Sequence, residues 1–118
     1  MKPALIVHGG AWRIDPAEHA AHINGTEVAA RAAWELLQAG STALDAIEKA
    51  IMIMEDDPTF DAGTGSVLNC VGEIELDAMI MDGKTLKLGA VGAAQGIANP
   101  IYLARLAGIY RSGTRCGS

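Results

Sequence analysis

The sequence has few aromatic residues, few cysteines and no cluster of basic residues. Aromatic residues are 4% of the 118 positions, so the core must be built from small and aliphatic side chains. Nine basic and fourteen acidic residues give a net charge of −5 without a basic stripe, which argues against a nucleic-acid-binding protein. The only cysteines, Cys70 and Cys116, form no Cys-x-x-Cys pair, which argues against a disulfide framework or a cysteine zinc site. We predict that both thiols are reduced and structural.

Long hydrophobic runs are also missing. The apolar run near the N-terminus, residues 4–7, is too short for a signal peptide or a membrane span. Half of the residues are hydrophobic and 19% are charged, which is typical of one soluble globular domain and not of a disordered chain. The sequence therefore predicts a cytoplasmic protein without a membrane segment.

The first half of the chain has the pattern of one strand followed by two helices. Residues 4–8 lack the alternation of apolar and polar residues, which predicts a short strand buried on both faces. Residues 13–25 contain Asp-Pro and Asn-Gly pairs and are predicted to be irregular. Helical spacing of apolar residues predicts a helical hairpin over residues 27–57, in which Gly40 ends the first helix and Ser41 or Thr42 caps the second.

The second half has the pattern of three strands and one helix. Strands are predicted at residues 66–70, 73–81 and 85–94, and Asp82-Gly83 is a hairpin signal between the last two. Asn99-Pro100 predicts the start of a helix that ends near Ala107, with Asn99 as its cap. The element order predicts an α+β fold, a layered α/β arrangement with an antiparallel hairpin.

Two glycine-rich segments are candidates for a functional site. In His8-Gly9-Gly10, paired glycines bring backbone amides close to a ligand, or they form only a tight turn. The segment Phe60–Gly65 is either a connector or a loop that holds an ion with its carbonyl groups. It lacks the lysine of a phosphate-binding loop, and it precedes a predicted strand, unlike a dinucleotide-binding fingerprint.

The sequence also offers side-chain candidates for a functional site. Glu75 and Asp77 share one face of a predicted strand, and they are either paired catalytic carboxylates or only solvated charges. His19 and His22 lie three residues apart without the carboxylates that would complete a metal site. The sequence contains no Gly-x-Ser-x-Gly nucleophile motif.

Six segments together resemble the plant-type L-asparaginase/isoaspartyl aminopeptidase family, a group of threonine-type N-terminal nucleophile hydrolases. In chain order they occupy residues 6–11, 39–46, 57–66, 75–83, 89–94 and 97–106. Each segment alone is weakly specific, but six in the same order form a highly specific pattern. The resemblance covers residues 1–106, interpreted as the α portion of the family domain.

The resemblance implies a four-layer αββα sandwich and a self-processing amidohydrolase. Family members cleave themselves and release a threonine whose amino group activates its own hydroxyl. That threonine attacks the side-chain amide of asparagine or the isopeptide bond of an isoaspartyl dipeptide. The α and β portions stay together and form a dimer of heterodimers, so the β portion is the expected partner and the protein is expected to be oligomeric.

The resemblance also implies roles for particular residues. Gly9 and Gly10 match a flexible loop beside the nucleophile, and Asp61 occupies a position close to it. Residues 54–64 resemble a loop that holds a structural sodium ion, and no organic cofactor is expected. The implied sodium ligands are main-chain oxygens, those of Met54, Glu55, Asp57, Phe60, Ala62 and Thr64.

The nucleophile itself does not match any residue of the chain. Thr114 follows a glycine, but the Val-Gly-Ala that follows the family's threonine is absent. Residues 107–118 diverge from the family pattern and are interpreted as a tail produced by truncation or a frame shift. We therefore expect the chain alone to be inactive, either as part of an amidohydrolase that needs a β portion or as a non-catalytic remnant or association module. An independent ion-binding domain is the third hypothesis.

Overall fold

Within residues 2–109, three α-helices and one two-stranded sheet form the fold. The computed structural model describes residues 2–109. A 3₁₀ turn, Pro16–Glu18, leads into the first helix. In chain order, the helices and strands are α1 (His19–Gln38), α2 (Ala43–Asp56), β1 (Leu76–Met81), β2 (Leu88–Ala94) and α3 (Pro100–Gly108). The predicted α+β class is confirmed.

Helices α1 and α2 form the predicted hairpin, but α1 begins earlier than predicted. Gly25 lies inside α1 rather than in a loop. A Cβ at this position would lie 2.6 Å from Cε2 of Phe60, so the glycine lets the Phe60 ring pack against the helix. The glycine of the Asn-Gly pair therefore allows close packing against the helix and does not form a turn.

Helix α2 begins and ends where its sequence signals predict. The Thr42 hydroxyl accepts a hydrogen bond from the Asp45 amide at 3.2 Å, and the Asp45 carboxylate accepts one from the Thr42 amide at 3.1 Å. This reciprocal pair is a capping box, which satisfies amides that have no partner within the helix. The buried cluster between α1 and α2 consists of small residues, namely Ala29, Ala33, Ala46 and Ala50.

Strands β1 and β2 pair antiparallel, and the Asp82–Lys87 segment connects them. The register shifts between Leu76 and Ala78, where the Asp77 carboxylate accepts a hydrogen bond from the Ala93 amide at 2.8 Å. Ala93 has φ +49° at this irregularity. The side chain of Asp77 therefore takes over part of the backbone pairing that the shift removes.

Helix α3 packs on the sheet at very close range. A Cβ at Gly89 of β2 would overlap the Ala104 carbonyl, and one at Gly108 would overlap the Leu88 carbonyl. Ile80, Ile101 and Ala104 form the buried cluster between the sheet and α3. The glycine inside the strand thus marks close approach of another element, as its position in the sequence indicated.

Two predicted strands are absent from the described residues. Residues 4–8 are not a strand: Leu5 and Val7 pack against the α1–α2 cluster, but the exposed fraction of Ile6 is 94%. Residues 66–70 are also irregular, and Val67 and Leu68 are exposed. A strand needs a partner for its backbone groups, and no described segment pairs with either one.

Two further sequence predictions concern the surface. Cys70 is a free and exposed thiol, so it does not stabilise the core. Within residues 2–109, no helix combines the length and the apolar character that crossing a membrane requires.

Candidate functional site

The glycine segment near the N-terminus and the loop after α2 meet at one cavity. The cavity has a volume of about 170 Å³. Its lining includes all three predicted supporting residues, Gly9, Gly10 and Asp61. The remaining lining residues are His8, Trp12, Ile51, Met54, Phe60 and Ala62. Segments about 50 positions apart in sequence therefore converge on a largely apolar cavity with a few polar groups, the usual character of a ligand site.

The glycine segment makes a tight turn in which His8 has a local role. The Gly10 amide donates a hydrogen bond to Nδ1 of His8 at 3.1 Å. Gly10 has φ +103°, a conformation that glycine adopts without strain. His8 is exposed and its imidazole nitrogen acts here as an acceptor, so its ring supports the turn.

Asp61 is tied to the segment that follows the loop. Its Oδ1 accepts a hydrogen bond from the Val67 amide at 3.0 Å. The residue is exposed at the rim of the cavity, where the carboxylate keeps a second oxygen that this bond does not use. The side chain can therefore orient the loop and still contact a group placed against this face.

The predicted ion-binding loop, residues 54–64, folds back on the end of α2. The Thr64 amide donates to the Glu55 carbonyl at 2.8 Å, and the Phe60 amide donates to the Asp57 carbonyl at 3.1 Å. The Asp57 side chain accepts from the Thr59 amide at 2.8 Å, which tightens the turn. These bonds hold the loop without using the second lone pair of either carbonyl.

The donor chemistry of this loop fits a hard cation such as sodium. A helical continuation would pair the Met54 carbonyl with the amide of residue 58, but Pro58 has no N–H. The Pro58 and Phe60 carbonyls converge on Gly65, where a Cβ would overlap both oxygens. Since no described group of three or more His, Cys, Asp or Glu side chains suits a metal, an ion here would depend on main-chain oxygens.

The side chain of Glu55 serves a second element. It is 2% exposed, and its Oε1 accepts a hydrogen bond from the Ile101 amide in the first turn of α3 at 3.0 Å. Its Oε2 accepts from the Asn99 side chain at 3.1 Å. Burial raises the pKa of Glu55, and the hydrogen bonds from Ile101 and Asn99 oppose that shift. The predicted Asn99 cap is therefore wrong in detail: Asn99 makes no side-chain cap bond, and Glu55 satisfies the helix amide instead.

The other carboxylate and histidine candidates do not form a catalytic group. The Asp77 carboxylate accepts the hydrogen bond from the Ala93 amide at the register shift of the sheet, and Glu75 is exposed. His19 is exposed, and its Nε2 lies 3.3 Å from the Ile14 carbonyl oxygen, whereas His22 is buried beside Trp12 and Phe60. Thr114 and the rest of residues 110–118 lie outside the described residues.

Two groups of contacts were not predicted from the sequence. Arg105 of α3 forms ion pairs with Asp45, at 2.7 Å, and with Glu48 of α2. The hydrogen bond from Thr42, followed by that from Arg105, lowers the pKa of Asp45. The rings of Trp12, His22 and Phe60 form a chain beside the glycine segment. Sequence spacing gives no signal for either group. The ion pairs join two helices that are distant along the chain, and the ring contacts join loop residues to a helix.

Comparison with known proteins identifies the family. The family model described as asparaginase matches residues 1–108. The chain belongs to the asparaginase family. It is 51% identical over 107 residues to the human protein named isoaspartyl peptidase/L-asparaginase, covering 90% of this chain and 35% of that protein. It is 52% identical over 103 residues to the plant-type L-asparaginase of Pyrococcus abyssi, covering 86% of this chain and 33% of that protein.

The asparaginase resemblance predicted from the six segments is thus confirmed. The zebrafish isoaspartyl peptidase/L-asparaginase is 49% identical over 106 residues, which are 90% of this chain and 34% of that protein. The chain spans about a third of the length of the curated relatives that it matches. The whole-protein activity is therefore argued below as a proposal.

Proposed function

We propose that the chain is the α portion of an amidohydrolase that acts on L-asparagine, isoaspartyl dipeptides or both. The reaction uses a threonine that becomes the N-terminal residue of a β portion after self-cleavage, and the chain alone is inactive. The observation that carries this proposal is the shared cavity of Gly9, Gly10 and Asp61. The asparaginase and isoaspartyl peptidase names of relatives about 50% identical agree with the substrate class.

In the proposal, the β portion and this chain have different catalytic roles. The threonine supplies both the nucleophilic hydroxyl and, through its free amino group, the base. The glycine loop gives that residue backbone groups at close range, since Gly9 and Gly10 have no side chains to exclude it. In the proposal, Asp61 orients its own loop through the bond with the Val67 amide and is a polar neighbour of the incoming portion.

The proposal includes the four-layer αββα sandwich and an oligomer. The structure measures 51 × 44 × 19 Å, and two packed layers of about 10 Å each account for the short dimension. The β portion would supply the further strands and helices. Ile6, Val67 and Leu68 expose apolar side chains of the size that such packing buries. We also propose a cytoplasmic location.

Activity tests the proposal directly. Residues 1–106 are fused to the C-terminal remainder of the Pyrococcus abyssi plant-type L-asparaginase, beginning where the similarity ends. We expect this fusion to cleave itself and to release ammonia from L-asparagine or aspartate from an isoaspartyl dipeptide. The unfused chain should release neither, because it lacks the threonine.

Matched variants separate the outcomes. Gly9→Val in the fusion adds a side chain beside Phe60 and should slow self-cleavage, whereas Gly83→Ala, which lies in open space, should not. Activity of the unfused chain would show that its nucleophile is present after all. A folded fusion that neither cleaves itself nor hydrolyses either substrate would favour the non-catalytic alternative.

We also propose that residues 54–64 bind a structural sodium ion. The supporting observations are the convergent carbonyls at Gly65 and the missing amide at Pro58. Binding at ten times the dissociation constant stabilises a fold by about 1.4 kcal/mol. In a domain of this size that raises Tm by about 5–10 °C.

Thermal unfolding in sodium chloride and in choline chloride of equal ionic strength measures this effect. We expect a saturable rise of Tm with sodium only. Gly65→Ala should abolish the rise because its Cβ would overlap the Pro58 and Phe60 carbonyl oxygens, while Gly83→Ala should keep it. Equal melting curves in both salts for the parent chain would contradict the sodium site.

A further inference from the structure

Three aromatic rings form a continuous chain beside the glycine loop. The ring centroids of Trp12 and His22 are 5.1 Å apart, and those of His22 and Phe60 are 5.4 Å apart. The interplanar angles are 74° and 87°, so both contacts are edge-to-face, a favoured geometry for aromatic pairs. We call Trp12, His22 and Phe60 the aromatic clamp.

The two outer rings of the clamp touch the two glycines. A Cβ at Gly9 would lie 3.0 Å from Cε1 of Phe60. A Cβ at Gly10 would overlap the Trp12 ring, with Cε3 at 2.8 Å. Each glycine therefore has its own ring packed against its backbone, and any larger residue would displace that ring.

The central ring is the one fixed to a rigid element. His22 lies in the first part of α1 and is 9% exposed, whereas Trp12 lies in an irregular segment and is 47% exposed. Gly25, one turn further along α1, leaves room for the Phe60 ring. The helix thus carries the His22 ring to the place where it contacts both outer rings.

Hydrogen bonding does not explain a histidine at this position. Nδ1 of His22 is buried and has no hydrogen-bond partner among residues 2–109. An unpaired buried nitrogen is unfavourable relative to a carbon at the same place. The contacts described for the His22 side chain are therefore its edge-to-face contacts with Trp12 and Phe60. The shape of the ring determines how it positions these two neighbours.

We propose that His22 is a positioning residue: through Trp12 and Phe60 it fixes the backbone path of Gly9-Gly10 at the cavity. The proposal rests on the proposed function for the assignment of that loop to the active site. It adds a second role to α1, which acts on the loop indirectly: His22 is not among the residues that line the cavity, but the two rings it contacts are.

Fluorescence of the 118-residue chain tests the clamp without any catalytic activity. Trp34→Phe leaves Trp12 as the only tryptophan. In that background, we expect His22→Ala to shift Trp12 emission to longer wavelength. The acrylamide quenching constant should rise about twofold, because the ring goes from 47% exposed towards full exposure. The Gly9 and Gly10 amide signals of ¹⁵N-glycine-labelled protein should broaden or move.

Two further variants decide between positioning and general destabilisation. His22→Phe keeps a ring of similar shape, so it should restore the parental emission, quenching and glycine signals. Leu37→Ala removes a partly buried side chain of the same helix that packs on the α1–α2 cluster. It should lower stability without moving the Trp12 emission or the glycine signals.

The remaining outcomes contradict the proposal. It is wrong if folded His22→Ala leaves emission and glycine signals unchanged, or if Leu37→Ala changes them equally. Trp12→Leu, at a half-exposed position, provides a test that does not depend on the stability of a His22 variant: unchanged Gly10 signals would contradict the clamp. Since none of these measurements needs a β portion, failure of the clamp is distinct from failure of the amidohydrolase proposal.

Discussion

At the scale of single residues, Glu55 connects the loop that follows α2 with helix α3. Its carbonyl accepts the Thr64 amide, and its carboxylate accepts the Ile101 amide. The carboxylate sits at the N-terminus of α3, where unpaired amides and the helix dipole favour a negative charge. Burial acts in the opposite direction and raises the pKa of the group.

These opposing effects predict the consequences of removing the carboxylate. Glu55→Ala leaves the Ile101 amide buried without its partner, and we expect a loss of about 2–4 kcal/mol in the free energy of unfolding. Glu55→Gln keeps one acceptor oxygen for that amide and should cost less. Urea denaturation at pH 7 measures both variants against the parent.

The raised pKa of Glu55 also predicts a pH dependence. A carboxyl that binds its proton more tightly in the folded state loses stability as pH rises from its ordinary value of 4.5 through the raised value. Asp45 has a lowered pKa, so its contribution is present above its ordinary value of 3.8 and is lost only below it. Above pH 4.5, the parent should therefore lose stability relative to Glu55→Gln as pH rises, and parallel curves for the two proteins would contradict this.

At the scale of elements, the contact between α3 and β2 depends on backbone approaching backbone. Gly89→Ala would place a Cβ on the Ala104 carbonyl, which belongs to the helix main chain and cannot rotate away. We expect this substitution to cost about 1–3 kcal/mol by forcing the elements apart. Gly83→Ala, with open space around it, should change stability by less than about 0.5 kcal/mol. Equal midpoints of urea unfolding for the two variants would show that α3 can move without cost.

Local signals predicted α2 best, because its start and end are both set locally. Thr42 and Asp45 form the capping box within four residues, and Pro58 stops the helix. The start of α1 was missed because Gly25 is present for the Phe60 ring, a contact with a residue 35 positions away. Residues 4–8 and 66–70 were predicted as strands from their composition alone, but a strand also needs a neighbour.

The candidate site was predictable only through the family resemblance. Spacing alone left His8-Gly9-Gly10 open between a turn and a ligand loop, and nothing in it joined this loop to Asp61. The fold supplies that juxtaposition around one cavity. The clamp residues Trp12 and His22 carried no such signal, since aromatic packing across elements leaves no period in the sequence.

At the scale of the whole molecule, apolar side chains remain on the surface. The most exposed large apolar side chains, with exposed fractions from 62% to 94%, are Ile6, Ile23, Val67, Leu68, Val71, Met79 and Leu86. Met79 points away from the α3 side of β1, where Leu76 and Ile80 are buried. Such surfaces favour association with another protein or with a second copy of the chain.

We therefore expect the isolated chain to self-associate. Size-exclusion chromatography with light scattering should show oligomers whose fraction increases with concentration. Replacing Val67 and Met79 with lysine should shift the distribution towards monomer, because each lysine must be desolvated to enter an interface. Thr85→Lys, a change of charge at an exposed polar position, should leave the distribution unchanged. A parent chain that stays monomeric at every concentration would contradict the expectation.

The hydrogen bond between Glu55 and Ile101 also bears on the order in which the chain folds. The α1–α2 hairpin closes through contacts between neighbouring elements, whereas the Glu55 carboxylate must wait for an amide 46 positions further along the chain. Longer loops close more slowly and at greater entropic cost. We therefore expect the carboxylate to stay in water until α3 docks and to lose its water in that step. At neutral pH, where the group is ionised before docking, we expect the seating of α3 to limit the refolding rate, while the two long helices are already paired.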